Sequence, residues 1–287
     1  MEKKNIIWLA SYPKSGNTWF RVFLTNLLGK NEQPASINDL LKSTIASSRQ
    51  MFDEATGLSS SDLTKEEIED LRPSVYRYVS KNLNELSFNK IHDAFIFTQN
   101  GESIVPPDIS KGVIYFIRNP LDLVLSFANH TGDSIDEMIE LMNKPEYSFC
   151  AKTDKLYNQL EQKLLSWSLH IKSWTDQQTI PVCIMKYEDM QLDTFACFRR
   201  AIEFSGVQAS DKEIIQAINL SRLEELQKQE KESGFRERSP QSRIFFRRGG
   251  LGAWKKELSA KQVGHIIEQH YEMMLRFGYI NENGLPA

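Results

Sequence analysis

Cysteine is scarce. The three thiols, Cys150, Cys183 and Cys197, are odd in number and show neither a CxxC pair nor a metal-ligand spacing. That excludes a disulfide-framed secreted scaffold and points to reduced thiols in a cytosolic protein. Long apolar stretches are missing as well, since no segment approaches the roughly 20 residues of a membrane-spanning helix. Glu2-Lys3-Lys4 precedes an apolar run too short for a signal-peptide core. Nor is positive charge in excess: 35 Lys and Arg against 38 Asp and Glu give a net charge of −3, which argues against nonspecific nucleic-acid binding by the whole molecule. The expectation is a cytoplasmic protein with no nucleic-acid partner and no membrane insertion. A chain of 287 residues, 40% of them hydrophobic, can bury a sizeable core, and a single domain over 1–287 is expected.

Also absent is the loop of nucleoside-triphosphate enzymes, in which two spaced glycines lead into Lys-Ser/Thr. The chain carries instead Ile6-Ile7-Trp8-Leu9-Ala10-Ser11-Tyr12-Pro13-Lys14-Ser15-Gly16-Asn17-Thr18-Trp19. An apolar run of strand length meets Pro13-Lys14-Ser15-Gly16, and Phe20, Phe23, Leu24, Leu27 and Leu28 follow at helical spacing. A tight strand-to-helix turn leaves backbone N–H groups at the helix N-terminus, and with the helix dipole these make an anion site. Lys14 adds a mobile charge, and Ser15 and Thr18 add hydroxyl donors. With Gly16 aligned to the second glycine, Asn17 stands where the triphosphate loop needs its lysine. Lys14 lies upstream and approaches an anion from another side.

The rest of the chain alternates strands and helices. Residues 29–64 are polar and broken, a surface excursion. Thr64 and Glu67 form a capping-box pattern, so a helix should start there and run to about Leu71, with Pro73 interrupting it and Tyr76, Val79 and Leu83 marking a second piece. Phe88 to His92 suggests a short strand. Val113 to Ile117 is the strongest strand of the chain, of the buried parallel type, ending in Arg118-Asn119-Pro120 with Pro120 placed as N1 of a helix to about His130. A short acidic helix over 134–147, a long helix from Leu156 to Thr175, a strand from Ile180 to Tyr187 and a helix over about 193–204 come next. Residues 211–230 should be helical, and Phe235 to Gly252 is a loop carrying Arg236, Arg238, Arg243, Arg247 and Arg248. The last helix runs from about Ser259 to Phe277. This order predicts an α/β fold with a central, mostly parallel sheet flanked by helices. Ligands of such sheets sit at the carboxyl ends of strands, and Lys14, Arg118 and Tyr187 each follow one.

At these residues the chain resembles the cytosolic-type sulfotransferase family, as a bacterial-like member. Tyr12-Pro13-Lys14-Ser15-Gly16-Asn17-Thr18-Trp19 looks like the family's 5′-phosphosulfate loop, with Asn17 where threonine is usual. Arg118-Asn119-Pro120-Leu121-Asp122 with Ser126 resembles its 3′-phosphate motif, and Lys186-Tyr187-Glu188-Asp189-Met190 the stretch whose tyrosine reaches adenine. Arg247-Arg248-Gly249-Gly250-Leu251-Gly252-Ala253-Trp254-Lys255 is similar to the late Arg-Lys-Gly-x-x-Gly-Asp-Trp-Lys motif. The matches follow family order over nearly the whole chain.

The resemblance implies a P-loop-like sulfotransferase fold, 3′-phosphoadenylyl sulfate (PAPS) as donor, 3′,5′-diphosphoadenosine as product, no metal, and a hydroxyl or amine acceptor on a small molecule, glycan or peptide. Lys14 would neutralise the leaving phosphate, the N–H groups of 15–19 with Thr18 would hold the 5′-phosphate, and Arg118, Ser126 and the Arg247–Arg248–Gly249 loop the 3′-phosphate. Trp19 would stack on adenine or simply pack the first helix. Leu223 either takes the place of the adenine-packing aromatic or belongs to the core. Lys90-Ile91-His92 corresponds to the family's Lys-Thr-His, which makes His92 the base and sets Lys90 beside it; a neutral imidazole near pH 7 suits that work. His170, His265 and His270 fall in helices and read as structural, and Asp93 as a solvated turn residue. The family's late dimerisation pattern is poorly kept: Lys255 and Ser259 fit it, Ala260 and Gly264 do not. Two other readings stand beside the enzyme: a nucleotide kinase or ATPase with an aberrant phosphate loop, and a noncatalytic nucleotide-binding protein on the same fold.

Overall fold

A computed structural model describes residues 3–40, 44–152, 155–247 and 249–287. Strand β1 (Ile6–Ser11) is buried along its whole length, as a continuous apolar run should be. It leads through a turn into α1 (Asn17–Leu28), followed by α2 (Arg49–Thr56), α3 (Lys65–Asn82), β2 (Ser87–Ile91) and β3 (Ser110–Ile117). Helix α4 (Pro120–Thr131) opens on its proline, with the Asn119 side chain accepting from the Leu121 N–H. Helix α5 (Ile135–Asn143), strands β4 (Ser148–Phe149) and β5 (Gln162–Lys163), α6 (Trp167–Asp176) and β6 (Val182–Lys186) come next. The elements after β6 are helices: α7 (Tyr187–Leu192), α8 (Thr194–Ser205), α9 (Asp211–Asn219), α10 (Leu223–Ser233), α11 (Trp254–Glu257) and α12 (Ala260–Arg276).

The central sheet has the order β2-β1-β3-β6, and β1 pairs with β2 in parallel, from Ile6 opposite Ser87 to Ala10 opposite Ile91. The fold is α/β with a mostly parallel sheet, as the alternation of elements predicts. Two compact units are distinguished: Met1–Tyr12 with Lys42–Tyr115 and Pro145–Cys183, and Pro13–Leu41 with Phe116–Lys144 and Ile184–Ala287. In the first, fully buried Trp8 donates from Nε1 to Ser110 Oγ at 2.8 Å and meets Tyr76 edge-on. In the second, Phe20 packs against Phe23, Phe116 and Phe198 with centroids 5.1–5.5 Å apart. Each such ring stabilises the unit by about 1.5–3 kcal/mol relative to exposure.

Three expected boundaries are corrected. Pro73 does not divide α3, which is continuous from Lys65 to Asn82 with its Thr64–Glu67 capping box in place. The missing proline N–H is outweighed by anchors on both sides of it: Arg72 binds Asp93, Tyr76 donates to the Ala46 carbonyl, and Arg77 pairs with Asp108. The long helix expected from Leu156 begins only at Trp167. Leu160, Leu164, Trp167 and Ile171 are all buried as their spacing implies. The N–H groups of Leu160, Leu164 and Leu165, however, bond to the carbonyls of Ser47 and Tyr147 rather than along a helix, and Ser166 caps the helix that does form. The 211–230 helix is split into α9 and α10, because Ser221 turns in to donate to Ala217 O and to receive Asn26 Nδ2.

Candidate active site

The turn between β1 and α1 is shaped by its backbone. Lys14 has φ 70° and Gly16 φ 103°, both in the left-handed region. Gly16 is needed twice over there, since a Cβ on it would stand 2.9 Å from Tyr187 Cδ2. As N-cap it brings no side chain to the first turn of α1, and that turn holds no acidic residue. The positive end of the helix is therefore left for an outside anion. Ser15 and Asn17 are buried, and Thr18 and Trp19 half-buried.

Arg118, straight after β3, closes on this turn. Its Nη1 donates to the Lys14 carbonyl at 3.1 Å, and its guanidinium carbon lies 4.3 Å from the Tyr187 ring centroid. Lys14, Arg118 and Tyr187 thus meet, as their strand-end positions predict. Burial raises the Tyr187 pKa, opposed by the Arg118 charge. Ser15 Oγ and Arg118 Nε, both buried, have no hydrogen-bond partner among the described residues. Buried polar atoms in native folds are mostly paired, so each such atom calls for an ordered water, an ion or a ligand group.

The third wall is the late arginine-bearing loop. Arg118, Ser126, Asn129, Phe245, Arg247 and Gly250 line one cleft, so the two pieces of the expected 3′-phosphate site come together. Arg247 also reaches Glu257 at 3.3 Å. Gly249 passes so near Leu223 that a Cβ would come within 2.8 Å of its Cδ2, and its carbonyl accepts from the Tyr187 hydroxyl at 3.4 Å. Leu223 and Trp19 both pack on the cluster of Val22, Ile37, Leu226, Phe235 and Phe246; Trp19 also meets Phe198 at 5.2 Å. Arg248 lies outside the described residues.

What holds this loop was not legible from motifs. Buried Arg21 grips both carboxylate oxygens of Glu237, at 2.7 and 3.0 Å. Glu230, also buried, accepts from the N–H groups of Phe245 and Phe246. Asp122 accepts from Gly252 and Trp254. Three carboxylates thus bind an irregular segment to α1, α10 and α4, and Phe245 is placed so that Lys14 Nζ lies 3.3 Å above its ring. Asp122→Ala strands two N–H groups, so chemical denaturation should show a loss of about 1–3 kcal/mol; unchanged stability would deny Asp122 this fastening role.

His92 and Lys90 belong to the other compact unit. Lys90 is buried in β2, its N–H and C=O bonded to Thr44 and Ala46. His92 stands one residue past β2, with Nδ1 2.8 Å from the Ser11 carbonyl and 3.2 Å from Ser11 Oγ. Asp93 is corrected: it is fully buried, not solvated, and takes both terminal nitrogens of Arg72 at 2.7–2.8 Å. Burial opposes the Arg72 charge, but the Asp93 carboxylate outweighs it and the guanidinium pKa rises. His170 and His270 are buried in their helices, burial lowering each pKa to about 3. His265 is half-buried in α12, with Nε2 3.3 Å from Asn143 Nδ2.

The sulfotransferase domain model matches residues 4–278. A flavonol 4′-sulfotransferase of Flaveria chlorifolia is 25% identical over 267 residues, covering 87% of this chain and 72% of the relative. Sulfotransferase 1E1 of Bos taurus is 23% identical over 280 residues, with 93% and 82% covered. Mouse sulfotransferase SULT7A1, solved with PAP, shares the fold with a TM-score of 0.59 at 17% identity, over 98% of this chain and 87% of that one. Retinol dehydratase, solved with retinol and PAP, does so at 0.63 and 16%, over 95% and 82%. With the family's domain model running along almost all of its length, this chain belongs to the sulfotransferase domain family.

Proposed function

We propose that the protein transfers the sulfuryl group of PAPS to a hydroxyl, or an amine, of a small-molecule acceptor, the chain acting as one domain. The observation that carries this reading is the pair of buried atoms, Ser15 Oγ and Arg118 Nε, that have no hydrogen-bond partner among the described residues, on the turn and on the arginine bonded to it. The uncapped start of α1 with Lys14, Ser15, Gly16, Asn17 and Thr18 suits the 5′-phosphosulfate. Arg118, Ser126, Arg247 and the Gly249 backbone suit a second, 3′-phosphate, with arginine as planar clamp. Arg248 keeps its assignment from sequence alone. Trp19, Tyr187 and Leu223 offer flat and apolar surface for adenine. Sulfuryl transfer, like phosphoryl transfer, is governed by positioning and fixed positive charge. The acceptor oxygen bonds to sulfur, the bond from sulfur to the bridging oxygen breaks, and Lys14 neutralises the charge left on 3′,5′-diphosphoadenosine. The acceptor proton goes to His92, with Lys90 two residues before it.

A small-molecule acceptor is favoured because the relatives include flavonol sulfotransferases. A kinase or ATPase is disfavoured by Asn17 standing where the nucleotide loop needs lysine. The test is calorimetric titration without magnesium, alongside transfer of labelled sulfate from PAPS to a panel of phenols and alcohols. The protein should bind 3′,5′-diphosphoadenosine far better than 5′-AMP, and Arg118→Ala should lose about 10–100-fold of that preference, as befits a charged hydrogen bond. Equal affinity for both nucleotides would overturn the donor assignment.

A further inference from the structure

Beyond the base itself, the surroundings of His92 determine which of its nitrogens can act. A carbonyl oxygen has only lone pairs to offer, so at 2.8 Å from Ser11 O the Nδ1 of His92 must carry the hydrogen. The neutral ring then has its lone pair on Nε2. The contact follows from strand pairing: Ala10 lies opposite Ile91 in the parallel register, and Ser11 and His92 are the residues that follow them. The Ser11 side chain, fully buried, sits 3.2 Å from the same nitrogen as a second acceptor.

A second histidine holds the backbone of the first. His170 Nε2 is 3.0 Å from the His92 carbonyl, so by the same logic Nε2 carries the hydrogen and Nδ1 accepts from the Tyr115 hydroxyl at 2.8 Å. The ring has no exposed surface and stacks on Tyr115 with centroids 5.7 Å apart. Trp174 Nε1 donates to the next carbonyl, that of Asp93, at 3.0 Å. The segment 92–93 is therefore fixed by donors on α6 and by Arg72 on α3. The two histidines are held in opposite tautomers, each by a backbone carbonyl.

We propose that Ser11 and His170 are positioning residues for His92: the Ser11 carbonyl holds the imidazole as its Nδ1–H tautomer, and His170 fixes the main chain that carries it, so that Nε2 is presented as the proton acceptor. The proposal rests on His92 being the base, and its first test does not. Nitrogen-15 chemical shifts and two-bond couplings of the imidazoles in the intact wild-type protein, above the pH at which they protonate, report tautomer directly. His92 should show the Nδ1–H pattern and His170 the Nε2–H pattern; His92 as the Nε2–H form would overturn the proposal whatever the activity. The second test is kinetic. His170→Leu should lower kcat by about 10–100-fold, the size of a misplaced catalytic group, with KM for PAPS and acceptor nearly unchanged. His170→Gln, which keeps a donor for the His92 carbonyl, should recover part of it. In a His92→Ala background, His170→Leu should cost nothing more. An equal loss in both backgrounds would mean that His170 only supports the fold and would refute its positioning role. If His92→Ala alone leaves turnover intact, the base assignment fails while the tautomer result stands.

Discussion

His92→Ala is expected to lower kcat for sulfuryl transfer by about 100- to 10,000-fold, the range for removing a positioned general base. A neutral acceptor hydroxyl is a poor nucleophile, and its proton must leave as the new bond to sulfur forms. The described residues proposed for the donor are Lys14 to Trp19, Arg118, Ser126, Tyr187, Leu223, Arg247 and Gly249, all in the other compact unit. Removing the imidazole deletes none of them, so affinity for 3′,5′-diphosphoadenosine should change by less than about threefold, the pattern of a group whose contribution is confined to the transition state. Single-turnover transfer of labelled sulfate, with calorimetry of the product nucleotide, separates the two. Full activity in the variant would remove His92 from the mechanism. Lost affinity would instead make it part of the donor site.

The second large effect is on stability. Asp93 and Arg72 are nearly or wholly out of solvent and joined through two hydrogen bonds. Arg72 Nε donates to the Tyr76 hydroxyl, which donates to Ala46 O, and Asp93 Oδ1 also receives the Lys163 N–H. Asp93→Ala leaves a guanidinium buried without its counter-ion, and breaking a buried pair in this way costs about 3–5 kcal/mol. Urea unfolding should show the midpoint fall by a matching amount. The paired replacement Arg72→Met with Asp93→Leu should recover a large share, because it removes both desolvated charges together. A single variant that unfolds like the wild type would show that Arg72 reaches water once Asp93 is gone.

The turn that begins α1 and the starts of α3 and α4 were legible because their signals are local. Gly16 at a strand-to-helix turn, Pro120 at the first position of a helix, and Thr64 three residues before Glu67 each act within a turn of chain, where sequence and geometry coincide. The failures share a different cause. Leu160, Leu164, Trp167 and Ile171 are spaced like a helix face and are buried like one, yet the first two belong to extended chain whose hydrogen bonds go to Ser47 and Tyr147. Asp93 reads as a surface charge because its partner is on α3, and Glu230 reads as part of a solvated helix because the N–H groups it holds lie 15 and 16 residues on. Ion pairs and caps between distant segments leave no periodic trace, so a charged residue in sequence looks the same whether it is bound or bathed.

The parallel pairing of β1 with β2 has a consequence for how this site tolerates mutation. The group that orients His92 is a main-chain carbonyl, brought alongside by the same register that sets Ala10 opposite Ile91. Replacing the Ser11 side chain leaves that oxygen where it was, at the roughly 4.8 Å spacing of neighbouring strands. A one-residue insertion or deletion in either strand moves it away and turns the alternating side chains to the opposite face. The orientation of the His92 ring, and with it the proposed base, is thus protected against point substitution at position 11 and exposed to changes in length. A library that varies residue identity along β1 can keep the acceptor for Nδ1, whereas one that varies spacing cannot.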